Sequence, residues 1–134
     1  MFVIERDNSI HITRGDIGTI QTSALNNDTG EAYTFKHGNI VRLSVFEKNK
    51  CENVVLSKDV IVTAESPTVD IPLTSEDTKI GSLINKPVDY WYEIVLNPLT
   101  APQTLVGYDK KGEKIFRLYP EGNDPQSEIK GVGV

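Results

Sequence analysis

Apolar and polar residues alternate with period two over much of this chain. Ile10 and Ile12 share one parity, with His11 and Thr13 on the other. Val41, Leu43 and Val45 alternate with Arg42 and Ser44, and Val69, Ile71 and Leu73 alternate with Asp70, Pro72 and Thr74. The longest series is Val88, Tyr90, Tyr92, Ile94 and Leu96, opposed by Asp89, Trp91, Glu93 and Asn97. Successive side chains of a strand point to opposite faces, so each series predicts a strand with one buried row. A buried helix would instead repeat at three and four residues.

Weaker segments extend the same pattern. Asp16 to Leu25 is rich in Thr and β-branched residues with polar positions mixed in, as in an edge strand or a long bent one. Val54 to Val62 carries apolar residues on both parities and leaves its register open. Leu105–Tyr108 and Glu113–Tyr119 flank Asp109-Lys110-Lys111-Gly112, which predicts a β-hairpin. Asn26-Asn27-Asp28-Thr29-Gly30 and Lys36-His37-Gly38-Asn39 are turn clusters. Pro67, Pro72, Pro87, Pro98, Pro102 and Pro120 fall at or near strand ends, and Pro72, lacking an N–H, favours an edge.

One stretch breaks the strand rule. Thr74-Ser75-Glu76-Asp77-Thr78-Lys79-Ile80-Gly81 opens on a capping hydroxyl, places acids in its first turn and closes on glycine. Those choices satisfy free N–H groups and permit a left-handed exit, predicting one helical turn between two strands. Roughly eight strands with turn signals every ~8–12 residues predict an all-β fold. A β-sandwich is favoured over a barrel, although spacing alone does not separate the two, and no internal repeat points to a propeller or solenoid. The sandwich is expected over residues 1–120. Residues 121–134, Gly-rich, polar and without alternation, are expected to form a flexible C-terminal arm.

Composition narrows the function. A hydrophobic fraction of 38% with 25% charged residues suits one packed domain. The net charge of −5, with 14 basic residues scattered among 19 acidic ones, argues against nucleic acid, because phosphate binding needs clustered cations. No apolar run approaches the ~20 residues that span a bilayer. The early charges at Glu5, Arg6 and Asp7 do not fit a secretory leader, so synthesis in a cytoplasm is expected and no membrane partner. The single Cys51 excludes an internal disulfide, and its setting between Lys50 and Glu52 suits a structural thiol.

Candidate chemistry is sparse. His11 and His37 stand in no metal-ligand spacing, and no nucleophile elbow or phosphate loop occurs, so neither an enzyme nor a cofactor is expected. A paired-acid glycosidase site would need a cleft that a sequence does not display. Arg14-Gly15-Asp16 matches an integrin-type tripeptide, yet Gly-Asp before a strand is ordinary turn chemistry. In Tyr90-Trp91-Tyr92, alternation sends the tyrosines to the core and leaves Trp91 free to anchor an interface or stack on a sugar.

The order of these features is familiar. Ile10-His11-Ile12-Thr13-Arg14-Gly15-Asp16, a Gly-containing turn, and then Tyr33 through Val45 form its first half. Val69 through Thr78 followed by Asp89-Tyr90-Trp91-Tyr92-Glu93-Ile94 form its second. Over residues 9–119 the chain resembles the N-terminal domain of phage baseplate upper proteins. The resemblance implies an immunoglobulin-like antiparallel sandwich with one short helical turn, in a virion of a phage or prophage of Gram-positive bacteria. It implies a structural role in a baseplate or tail, binding other phage structural proteins and copies of itself. Capsid or neck decoration, or a carbohydrate-binding adhesion module on cell-wall glycan, are the alternatives. No catalytic residues transfer. The expected contacts are sheet edges, the 26–30 and 36–39 turns and the arm, with Trp91, Tyr108, Ile129 and Val134 as candidate interface residues.

Overall fold

Each alternating row becomes a strand whose apolar parity turns inward. The computed structural model describes residues 1–25, 29–48, 52–82, 84–109 and 112–121. Among them run nine strands: β1 (Phe2–Ile4), β2 (Ile10–Thr13), β3 (Gly18–Thr22), β4 (Ile40–Lys48), β5 (Glu52–Ile61), β6 (Val69–Leu73), β7 (Val88–Leu96), β8 (Gln103–Val106) and β9 (Lys114–Tyr119). The arm beyond Glu121, with Ile129 and Val134, lies outside the described residues, as do Cys51, the 26–28 turn and Lys110-Lys111.

Seven strands form one sheet in the order β1-β2-β9-β7-β4-β5, with β8 also on β7, while β3 and β6 pair alone in a second sheet. Residues of both sheets join one core, so the fold is the expected all-β sandwich. Ile10, Ile12, Val41, Leu43, Val45, Phe116 and Leu118 are fully buried on the large sheet, and Ile71 on the small one. Each such side chain stabilises the fold by about 1.5–3 kcal/mol relative to exposure. The two-stranded sheet covers only part of the large one. Phe35, Val62 and Ile80, from connecting segments, fill the remainder.

Two details depart from the expected pattern, and the single turn expected at 74–81 is present, with Thr78 N–H donating to the Thr74 carbonyl at 3.3 Å. β2 pairs with β9 in parallel, so the large sheet is mixed rather than wholly antiparallel. The hairpin expected at 105–119 is replaced by two strands on one edge of β7. There β9 pairs with Val88–Tyr92 and β8 with Ile94–Leu96, and only the Asp109–Gly112 bridge closes between them. Within the β7–β8 pairing the register shifts between Ile94 and Val95. The 74–81 segment forms a capped turn without continuing into a helix. Thr74 N–H donates to Asp77 Oδ2 (2.9 Å), Asp77 N–H donates back to Thr74 Oγ1 (3.1 Å), and Gly81 exits at φ +68°.

Pro72 lies within β6, whose only strand partner among the described residues is β3, which is the edge position its missing N–H requires. Gly18 is required by close approach, because a Cβ there would stand 2.5 Å from the Phe2 ring. Asn97, left-handed at φ 50°, exchanges two hydrogen bonds with Ile40 and fastens the end of β7 to the start of β4.

Candidate binding face

The parity that leaves the core builds the outer face of the large sheet. Residues opposite one another on paired strands share a face, so its rows can be traced across the sheet. Val3, His11, Arg117 and Asp89 form one row, from β1 to β7. Ile115, Trp91, Phe46 and Val54 form the next, from β9 to β5. A tight turn between β1 and β2, with Asn8 left-handed at φ 67° and Glu5 and Ser9 joined by a 2.9 Å backbone bond, brings Asp7 and Ser9 beside His11.

These side chains form a continuous hydrogen-bonded relay. Ser9 Oγ donates to Asp7 Oδ1 at 2.6 Å, because a carboxylate only accepts. His11 Nε2 lies 3.1 Å from Ser9 Oγ, and His11 Nδ1 lies 2.8 Å from the Tyr119 hydroxyl. With the serine proton committed to Asp7, neutral His11 donates from Nε2 and accepts from Tyr119. A serine activated for attack needs the reverse direction, histidine accepting from serine. The relay therefore braces the surface rather than priming a nucleophile. Arg117 holds Asp89 with two bonds, of 2.6 and 3.1 Å.

Electrostatics follow this geometry. The Arg117 bonds hold the Asp89 carboxyl below the usual carboxylate range against a smaller opposing effect of burial. The Ser9 hydroxyl and amide hold Asp7 down in the same way, and the Arg42 bonds hold Asp59 down. Between the turn and the sheet lies an open depression lined by Glu5, Arg6, Asp7, Ser9, His11, Ile115 and Arg117. Its lining mixes both signs of charge with one apolar side chain. Among the described residues, no group of three or more His, Cys, Asp or Glu is placed to hold a metal, and no helix is long and apolar enough to cross a membrane.

The predicted site residues separate. Tyr90 and Tyr92 are 8% and 5% exposed, so the core takes both tyrosines and Trp91 lies partly exposed on the outer face. There it sits between Ile115 and Phe46 in an apolar strip. Tyr108 is 79% exposed in the β8–β9 connection, and no ring pair joins it to Trp91 among the described residues. The Arg14-Gly15-Asp16 tripeptide is a turn. Arg14, nearly buried, bonds Glu121 (2.5 Å) and the Gly81 carbonyl (2.9 Å), while Asp16 receives the Met1 ammonium. His37 caps the Thr63 carbonyl at 2.9 Å.

Sequence reasoning missed Asp7, Ser9, Ile115 and Arg117, and it missed Phe46 as an outward residue. Ser9 and Ile115 fall on the outward parity of β2 and β9, which was the available signal. Phe46 follows inward Val45 directly, so alternation places it on the outward row, but its apolar character hid it among the core residues. Compared with protein-family models, with curated proteins and with solved structures, the chain finds no match.

Proposed function

We propose that this chain is an immunoglobulin-like assembly module of a phage virion, placed in the baseplate or tail, that binds neighbouring structural proteins without catalysing a reaction. The strand order supports the immunoglobulin-like part of this reading, and the resemblance of the sequence supports the rest. β9-β7-β4-β5 in one sheet and β3-β6 in the facing one follow the G-F-C-C′ and B-E order of an immunoglobulin-like sandwich in its variable form. The segments that resemble baseplate upper proteins supply β2, β4, β6, the capped turn and the first part of β7. The outer face, with its polar relay and apolar strip, is the surface such a module offers to a neighbour.

Mass spectrometry of purified particles from the encoding phage or induced prophage tests this. The chain is expected among the virion proteins, and its absence from intact, infectious particles would overturn the reading. Locating it by labelling in particle images separates baseplate and tail from capsid or neck. A second reading, a carbohydrate-binding module, is favoured by the partly exposed Trp91 within an apolar strip. Glycan binding that Trp91→Ala abolishes would support it, and unchanged binding by that variant would remove it.

A further inference from the structure

We propose that two copies of this chain pair antiparallel through the free edge of β3, about a two-fold axis at Ile20. The proposal rests on the assembly part of the reading above and names the surface used; it does not depend on the virion.

Free sheet edges invite pairing, and proteins blunt them with charge, proline, bulges or short length. Among the described residues, every other free edge carries such a device. β5 turns Lys58 inward opposite Leu43, has a register break against Val45/Phe46 and holds Asn53 left-handed at φ 57°. β6 contains Pro72, and β1 and β8 are three and four residues long. β3 has none of these. Its five residues pair with β6 without a register shift, and among the described residues its other edge takes no backbone bond. From Ile17 to Leu25 the sequence contains no charge and no proline.

The axis at Ile20 pairs all five residues of the strand with a second copy. Ile20 meets Ile20, Thr19 meets Gln21 and Gly18 meets Thr22, with Thr19 and Gln21 exposed on the outer face. Homotypic pairing normally sets like charges against each other, and this strip has none in a chain of net charge −5. Antiparallel pairing also brings the Ile17 end of one copy to the Leu25 end of the other, where these side chains stand 73% and 70% exposed. The product is a continuous β6-β3-β3-β6 sheet, four strands where each copy has two, and two-stranded sheets are marginal alone.

Sedimentation equilibrium of the intact chain tests the pairing. Wild type is expected to sediment as a dimer at high concentration. T19K/Q21K sets the introduced lysines of the two copies against each other across the axis and is expected to halve that mass. T19E/Q21K keeps its new lysine opposite Asp70 in the same chain. It sets its new glutamate against the lysine of the second copy and is expected to restore the dimer. Circular dichroism should match wild type for both variants. A wild type that stays monomeric, a T19K/Q21K chain that stays dimeric, or a dimer lost on removing residues 122–134 would overturn the proposal. The last result would assign the contact to that segment instead. A dimer in solution together with absence from particles would sink the virion reading and leave this one standing.

Discussion

Phe116 and Arg117 are neighbours on β9, and the two faces they belong to are held by different forces. The inner face is continuous apolar surface, with Phe116 fully buried. Around Arg117 the outer face is a set of hydrogen bonds and ion pairs in partial contact with water, with the Arg117 and Asp89 side chains 36% and 37% exposed. Beside it runs the apolar strip of Ile115, Trp91 and Phe46. Burial is what makes the chain fold, whereas exposed ion pairs add little because water and salt compete for each charge. The outer face can therefore be used for recognition at small cost to stability.

The inner face is also not purely apolar. Arg14 and Lys114 lie at inward positions at or beside the ends of β2 and β9, Lys58 lies inward within β5, and each ends on an acid: Glu121, Asp109 and Asp77 respectively. Arg14 and Lys114 mark where apolar rows run out, and Lys58 interrupts one between Leu56 and Val60. Their pairing with acids close by keeps them from being buried unpaired charges.

The contrast can be broken by substitution. Phe116→Ala should cost about 3–5 kcal/mol, read by urea denaturation, through lost transfer energy and the cavity left behind. Glu121→Gln should cost about 3 kcal/mol, since it strands a nearly buried Arg14 guanidinium. Thr22→Val should raise stability by about 1 kcal/mol, because the buried Thr22 hydroxyl oxygen has no hydrogen-bond partner among the described residues and valine keeps its shape. Arg117→Ala should cost under about 1 kcal/mol and become indistinguishable from wild type in high salt. A Phe116→Ala chain no less stable than Arg117→Ala would refute the division between faces.

Acid should give the weakest signal and only from ionised groups. The Asp59 and Asp89 carboxyls titrate below the ordinary 3.8 because of their arginine bonds. A lowered native pKa stabilises above the unfolded value and is lost as pH falls through the native one. The thermal midpoint should therefore hold from neutrality to about pH 4 and drop below it. At the alkaline end, burial raises the Tyr92 hydroxyl, which also donates to the Asn8 carbonyl. Above about pH 10 the unfolded chain ionises this group first, and stability should fall again.

Much of the fold was legible because period two is a local signal. The rows at 10–12, 41–45, 69–73 and 88–96, the inward tyrosines, the edge placement of Pro72 and the cap at Thr74 each follow from residues within a few positions. What escaped was pairing over distance. Alternation in β2 says nothing about a parallel partner in β9, and the contact of His11 with Tyr119 spans 108 residues. The hairpin at 105–119 misled because its turn chemistry is sound while β7 offers both arms a better edge. Phe46 stands on the outward parity of β4, next to inward Val45, and escaped because its apolar side chain breaks the rule that outward positions are polar. The register break opposite it lies in β5, where Val55 is the extra residue.

The capped turn at 74–81 has a mechanical consequence. Lys58 reaches Asp77 from one flank of the large sheet, and Arg14 reaches the Ile80 and Gly81 carbonyls from the other. The segment acts as a buckle: to lift it, both cations must be released at once. Its amides should exchange with deuterium only when the whole sandwich opens, and insertions there should be refused. Insertions near Leu99, exposed at the opposite pole, should be accepted.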